Sequence, residues 1–462
     1  MVIQGIRFKA HPTDIQRMVL SQWMGCSQCI WNAKCSEERY YSTFARKYCP
    51  IGSYAPIDAA YSQFKDKELT PWLFDCPSQI LRNSASNWHS TYQDFLSGEC
   101  GKPRHKPKSD RGSIYLTREV FKFEVCADGV TRLFIGTKNN NIGYLSFKKH
   151  GNFKIPNSIY IKKENNEYFV SFCYKTNVGE PDPATDKENL KHLKKSTEAF
   201  LNAYVVGIDR GVSIPVQAGD NGYDFTNEQK TQKDKSGLYV KRLQKKLARQ
   251  KKGSKRYENT RRRLRNRHCK IANIRKDFCH KTSHALVNSK AKIFIFENLR
   301  TKQMTQKAKP KKDENGKYIR NNARAKSGLN RAILDKGWHI LETFTKYKAA
   351  RAGKAVFKLP APFTSQECAN CGHTHPDNRK EQKTFICLGC GHADNADRNA
   401  SLVIKKRAIK LILHTGTVLS ARGVLTSSDK GRGAKSKSGP KAPVSGYEAS
   451  KKNRTDTTSV VS

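Results

Sequence analysis

Acidic residues are scarce in this 462-residue chain: 40 Asp and Glu face 87 Lys and Arg, a formal net charge of +47 with neutral histidines. A surplus of that size calls for a polyanion, so nucleic acids and membrane surfaces are the first partners to weigh. Long apolar runs are also missing. No stretch approaches the roughly 20 consecutive apolar residues of a spanning helix, and the first residues carry no secretory signal pattern. No membrane partner and no small-molecule substrate is expected, which leaves nucleic acid. There is no internal repeat. Aromatics are plentiful: 18 Tyr, 21 Phe and 5 Trp, with 37% hydrophobic residues, exclude a wholly disordered chain. At about 100–200 residues per domain, the length allows two to four domains.

Fourteen cysteines in a long, lysine-rich chain without an export signal point to free thiols in a reducing compartment rather than to a disulfide framework. Ten are scattered between Cys26 and Cys279. Cys26, Cys29 and Cys35 share a stretch whose apolar residues Ile15, Met18, Val19, Trp23 and Ile30 recur at helical spacing, and are read as helix core.

The chain divides by texture. Residues 2–9 read as a strand, and helical patterns follow, clearest through Ile80, Leu81, Ala85, Trp88, Tyr92, Phe95 and Leu96. A basic loop runs over 101–108. Short alternating runs between 113 and 176 predict a small β domain that the first strand joins, with the helices as an insertion. Residues 177–198 read as a linker. A second domain opens with the apolar strand 204–209, ending in Asp209, and continues with a strand near 214–218. Residues 241–276 hold 17 Lys or Arg and a single acidic residue, Glu258, on two helical patterns. A solvated face normally mixes both signs, so Lys245, Lys246, Arg249, Arg261, Arg262, Arg263 and Arg265 are expected to contact nucleic acid. The apolar strand 292–297 ends in Glu297, a helix is predicted over 333–350 and a strand over 355–359. The Gly-, Ser-, Lys- and Pro-rich tail from about 422 lacks apolar periodicity and is expected to be disordered.

Two constellations carry chemistry. Cys368-x2-Cys371-x15-Cys387-x2-Cys390 forms two knuckles, each presenting two thiolates to one ion, the pattern of a closed structural Zn²⁺ site. His373, His375 and His392 lie nearby and are read as surface residues. The second set is dispersed: Asp209 and Glu297 end apolar strands, and Asp397 precedes the apolar-periodic Leu402, Val403 and Ile404. Converging over one sheet edge, three carboxylates suit two Mg²⁺ ions, and in a chain of this charge they point to a nuclease.

Gly207-Ile208-Asp209-Arg210-Gly211, Phe296-Glu297-Asn298-Leu299, Thr364-Ser365-Gln366 before Cys368, and Asn395-Ala396-Asp397-Arg398-Asn399-Ala400-Ser401 together resemble the TnpB family, the OrfB-type proteins of bacterial and archaeal insertion sequences, related to type V CRISPR effectors. The resemblance runs over about residues 1–420. It implies a multidomain α+β fold: a β-barrel-like wedge domain (1–10 and 101–178), a helical recognition insertion (11–100), a linker (179–200), a RuvC-like nuclease domain of RNase H type (201–363 and 391–421) interrupted by a zinc ribbon (364–390), and a disordered basic tail (422–462). It implies an RNA-guided DNA endonuclease acting in a prokaryotic cytoplasm on the nucleoid, with a guide RNA encoded beside the gene, a double-stranded DNA target beside a short motif, and Asp209, Glu297 and Asp397 as catalytic Mg²⁺ ligands. Asp397 is preferred to Asp394 because the family's third carboxylate lies two residues before an Asn, here Asn399. One departure is Gln28, where the family often carries Arg. The competing readings are a nuclease-idle DNA-binding repressor, guided or unguided, and an accessory DNA-binding protein of transposition.

Overall fold

The computed structural model describes residues 3–48, 57–107, 111–125, 131–150, 153–165, 167–175, 186–414, 417–419 and 423–427. Strand β1 (Ile3–Ala10) leads into helix α1 (Asp14–Tyr40). Thr13 and Gln16 start the helix reciprocally: the Gln16 N–H donates to Thr13 Oγ1 at 3.3 Å and the Thr13 N–H to Gln16 Oε1 at 3.0 Å. A short α2 (Arg46–Tyr48) and α3 (Ser78–Leu96) follow. Then come β2 (Gly112–Thr117), β3 (Phe121–Val125), β4 (Thr131–Gly136), β5 (Asn141–Leu145), β6 (Phe147–Lys148), β7 (Ser158–Glu164) and β8 (Glu167–Lys175).

These strands form two antiparallel sheets, in the orders β2-β7-β8-β1-β6 and β3-β4-β5. Strand β1 pairs with β8 from Ile3↔Lys175 to Ala10↔Tyr168, so α1 to α3 are inserted between paired strands. Both sheets share one core with α1 and α3, centred on Phe8, Trp23, Ile80, Ile135, Ile161 and Val170. The buried face of α1 differs from the one its spacing predicts. Gln16 donates to the carbonyls of Ile142 and Tyr144 at 2.9 and 3.0 Å, which turns Gln16 and Leu20 toward the sheet and leaves Ile15 and Met18 exposed. Cys26 and Cys35 are buried and Cys29 half-buried on this helix.

The stretch expected as a linker contains α4 (Asp186–Lys194) and the start of α5 (Glu198–Tyr204). Leu190, Leu193 and Leu201 are buried against the second unit, a short apolar stripe masked by polar neighbours. The unit continues with β9 (Val205–Asp209), β10 (Val216–Ala218), β11 (Asn221–Tyr223), α6 (Asn227–Ala248), α7 (Lys255–Asn288) and β12 (Ile293–Glu297). After a turn of helix, α8 (Thr301–Met304), a basic hairpin of β13 (Lys311–Lys312) and β14 (Tyr318–Ile319) precedes α9 (Ala323–Lys336), α10 (Trp338–Arg351) and β15 (Ala355–Leu359). A hairpin of β16 (Thr384–Ile386) and β17 (Ala393–Asn395) runs directly into α11 (Ala396–Leu413). It extends the cysteine module past the boundary expected at 390. Strands β18 (Thr417–Leu419) and β19 (Leu425–Ser427) pair beyond it. Of the tail expected to be disordered from 422, residues 423–427 are described and bury Leu425; the remainder lies outside the described residues.

The second unit's sheet has the order β11-β10-β9-β12-β15, with β11, β10 and β9 antiparallel and β9, β12 and β15 parallel. Strand β12 is buried along its length, as a strand covered on both faces must be. Its alternation separates two cores: Ile293 and Ile295 pack with Ile404, Ala408 and Ile412 of α11, whereas Phe294 and Phe296 pack with Phe278 and Leu286 of α7 and Leu341 of α10. With a period of two, Glu297 falls on the α11 side of the sheet. Among the described residues, no helix is long and apolar enough to cross a membrane.

Candidate active site and metal centre

Asp209 and Glu297 end adjacent parallel strands on the α11 side, and Asp397 stands in the first turn of α11, which lies across them. Three residues distant in sequence therefore lie on one side of the sheet, with Glu297 and Asp397 near enough for their charges to act on Asp209. Asn395 starts the helix by accepting the N–H groups of Asp397 and Arg398 at 3.0 and 3.2 Å. Glycine makes the approach possible: a Cβ on Gly207 would stand 2.7 Å from the Lys405 nitrogen and overlap the Ser401 carbonyl oxygen. Ser401, fully enclosed, donates to the Gly207 carbonyl at 2.8 Å and accepts the Gly219 N–H at 2.7 Å.

The electrostatics follow from this crowding. Burial, and then the charges of Glu297 and Asp397, push the Asp209 carboxyl up to about 8. Burial also raises Glu297, opposed by a hydrogen bond from Thr364 Oγ1 and by the charge of Arg210. Arg379 Nη2 meets Asp397 Oδ1 at 3.0 Å. Mutually repelling, desolvated carboxylates offer the hard oxygen donors that a divalent cation such as Mg²⁺ needs. Asp394 is engaged elsewhere, by Arg398 at 2.8 Å.

The four cysteines converge as well, with their sulfurs all within 4.8 Å of one another. Tetrahedral zinc with Zn–S of ~2.3 Å requires sulfurs ~3.8 Å apart; Cys368 and Cys390 stand at 3.8 Å and Cys371 and Cys387 at 3.5 Å. The knuckles repeat each other: Gly372 and Gly391 N–H groups donate to the carbonyls of Cys368 and Cys387, both at 3.0 Å, and both glycines take left-handed φ of 79° and 70°. Among the described residues no other group of three or more His, Cys, Asp or Glu gathers its ligand atoms so closely. His373 and His375 are exposed and His392 is half-buried.

The cysteine module is tied to α11. Asn399, fully buried, accepts the Ala369 N–H at 2.9 Å and donates to the Glu367 carbonyl at 2.8 Å, and Arg407 Nε reaches Glu367 Oε2 at 2.6 Å. These ties were missed in the sequence, as were Arg210, Thr364 and Arg379 around the carboxylates. Arg210, Thr364 and Asn399 stand in the short motifs quoted above, whereas Glu367, Arg379 and Arg407 stand outside them and carry no signal.

Of the basic residues on the long helices, Lys245, Lys246, Arg249, Arg261, Arg262 and Arg263 are exposed, while Arg265 is half-buried. Arg261 meets Glu258 at 3.3 Å. The basic loop near 101–107 is held on α1: Gln28 and Asn32 both donate to the Lys106 carbonyl, at 2.7 and 3.0 Å, and Trp31 donates to that of Arg104 at 3.0 Å. Gln28 thus organises a cationic loop where the family often has Arg. Beside it a cleft of about 420 Å³ is lined by Lys106, Arg111, Lys162 and Lys163.

Comparison with known proteins agrees with this arrangement. Residues 187–308 match the family described as "Probable transposase" (OrfB_IS605), and residues 338–404 match "Cas12f1-like, TNB domain". The chain is 28% identical over 429 residues to the "Putative RNA-guided DNA endonuclease InsQ" of Escherichia coli (strain K12), covering 93% of this chain and 96% of that protein. It is 25% identical over 425 residues to a "Putative RNA-guided DNA endonuclease" of Streptomyces pristinaespiralis, covering 91% of each. Among solved structures, the cryo-EM structure of a Cas12f1–sgRNA–target DNA complex aligns with a TM-score of 0.53 at 13% identity, covering 87% of this chain and 98% of that one, a likeness of fold. Over nine-tenths of its length the chain is thus similar to proteins named as putative RNA-guided DNA endonucleases, and in two segments it matches the OrfB_IS605 and Cas12f1-like families.

Proposed function

We propose that this chain is an RNA-guided DNA endonuclease of an insertion sequence, and that its second unit is a RuvC-like nuclease domain of RNase H type. The observation that carries this reading is the meeting of Asp209, Glu297 and Asp397 on one face of a five-stranded sheet, two at the ends of parallel strands and one at a helix start. The strand order supports it: three antiparallel strands followed by two parallel ones, with the carboxylates on the first and fourth in sequence, is the RNase H arrangement. These carboxylates would hold two Mg²⁺ ions, which would supply nucleophile activation and leaving-group stabilisation in phosphodiester hydrolysis. The residues themselves fix the acceptors. Thr364 orients one Glu297 oxygen by hydrogen bonding, and Arg379, brought by the cysteine module, balances Asp397. The four cysteines hold a structural Zn²⁺ whose four thiolates leave it no open position.

The double-sheet domain (1–10 and 101–178) and its helical insertion (11–100) serve as the wedge and recognition parts that hold the guide RNA and read a motif beside the target. The exposed basic residues of α6 and α7 track nucleic-acid backbone. A protein of +47 binds any nucleic acid at low salt through counterion release, so the test belongs near physiological ionic strength. There, base pairing with a guide adds a sequence-dependent contribution that surface charge cannot provide. Purified protein is expected to carry an RNA transcribed beside its gene, and to cut, with Mg²⁺, DNA that matches the RNA next to a short fixed motif. Equal cutting of matched and scrambled DNA would identify an unguided nuclease; matched binding without cutting would identify a repressor.

A further inference from the structure

Arg210 follows Asp209 directly, yet its guanidinium is almost wholly enclosed beneath the carboxylates. Nη2 donates to the backbone carbonyl of Glu297, and Nη1 meets Glu342 Oε2 of α10 at 3.1 Å. The other Glu342 oxygen takes Lys358 Nζ of β15 at 2.5 Å. A chain of charges thus runs from β15 through α10 and β9 to the end of β12.

Its position answers a weakness of the sheet. On the β15 side, Glu297 is held in the ladder by its pairing with Leu359. Asp209 is likewise paired on its outer side, with Gln217 of β10, but between β9 and β12 the last pair is Phe296↔Ile208, so Asp209 and Glu297 lie one step past the final rung that joins their two strands directly. Two repelling carboxylates stand there. Arg210 spans that gap, with its backbone directly after β9 and its side chain on the Glu297 carbonyl of β12.

Stability alone is a poor explanation for the arrangement. A buried ion pair is often matched by apolar residues of similar volume, and the Arg210 Nε–H is buried without an acceptor among the described residues. We infer that Arg210, oriented by Glu342, is a positioning residue that holds the Glu297 carboxylate at metal-binding distance from Asp209. The inference rests on the nuclease reading of the three carboxylates. Groups behind the ligands of a metal site typically govern affinity or activity by about 10–100-fold.

The test uses the full chain with its copurifying RNA, and Mn²⁺ as the probe, titrated by loss of the free-ion electron paramagnetic resonance signal. Three proteins are compared: wild type, Asp209→Ala, and the double variant Arg210→Met with Glu342→Met, which removes both charges together. The double variant is expected to keep its melting temperature and RNA content, while its Mn²⁺ affinity and cutting rate each fall by about 10–100-fold. Glu342→Gln, which leaves Arg210 in place and retains a hydrogen-bond acceptor, is expected to lose less affinity in the same direction. It serves as the decisive variant should the double substitution fail to fold. Wild-type Mn²⁺ affinity in a folded double variant, or in Glu342→Gln when that alone folds, overturns the positioning role and leaves the nuclease reading intact. A wild-type protein whose Mn²⁺ binding is unchanged by Asp209→Ala overturns the nuclease reading, and this inference with it.

Discussion

Ser401 Oγ donates to the Gly207 carbonyl at 2.8 Å, so helix α11 rests on strand β9 at a point where the strand has no side chain. That contact sets the height of Asp397 above Asp209. A methyl group at 207 would have to displace the backbone of α11 at Ser401 and Lys405, and a helix cannot yield there as a flexible side chain can. Gly207→Ala is expected to cost about 1–3 kcal/mol, the usual range for overpacking, read as a lower melting temperature, and to reduce cutting further by lifting Asp397. Unchanged melting and full cutting would mean that α11 can shift without consequence for the site.

The cysteine module acts on the same helix from its other side. Asn399 and Arg407 tie α11 to the 367–369 segment, and strand β17 runs into the helix without a spacer. A four-thiolate zinc site contributes folding free energy. Cys387→Ser is therefore expected to lower zinc content and Mg²⁺-dependent cutting together, with RNA retained because the basic surfaces are untouched. Elemental analysis alongside a cutting assay checks this; active protein without zinc would refute the metal assignment.

Asp394 and Asp397 lie three residues apart but have different neighbours. Asp394 is on β17, paired with Arg398, whereas Asp397 contributes to the rise of the Asp209 pKa. Asp397→Ala is expected to abolish cutting while RNA binding persists. Asp394→Ala, which removes one partly exposed ion pair usually worth less than about 1 kcal/mol, is expected to cut at near the wild-type rate. The reverse outcome would move the third carboxylate to 394.

Short motifs made much of the site legible, because a strand that ends in a carboxylate and a paired-knuckle cysteine pattern each encode geometry locally. Asp209, Glu297 and Asp397 could be proposed from sequence, and the structure brings them together. What stayed hidden depends on tertiary placement. Nothing in the surroundings of Glu342 marks it as the partner of a residue 132 positions away. Leu190 and Leu193 stand in a polar stretch that reads as linker, since two leucines on one short helix give too little periodicity. Spacing alone places Ile15 and Met18 inward, whereas the hydrogen bonds of Gln16 to β5 set the rotation of the helix.

Burial and two neighbouring carboxylates hold the Asp209 carboxyl up to about 8, against 3.8 for a free aspartate. The sign of the consequence is fixed. Between about pH 4 and 8 the native protein keeps a proton that the unfolded chain has released, so the metal-free protein loses stability as pH rises through that window. A divalent cation must displace the same proton, so its apparent affinity should climb by about tenfold per pH unit below 8 and level off above it. Melting curves from pH 6 to 9, with and without Mg²⁺, measure both effects. Asp209→Asn, neutral at every pH, is expected to flatten the metal-free slope and to abolish the Mg²⁺-induced rise in melting temperature. A slope that survives in Asp209→Asn would assign the proton to another group, with Glu297, also raised by burial, the next to substitute.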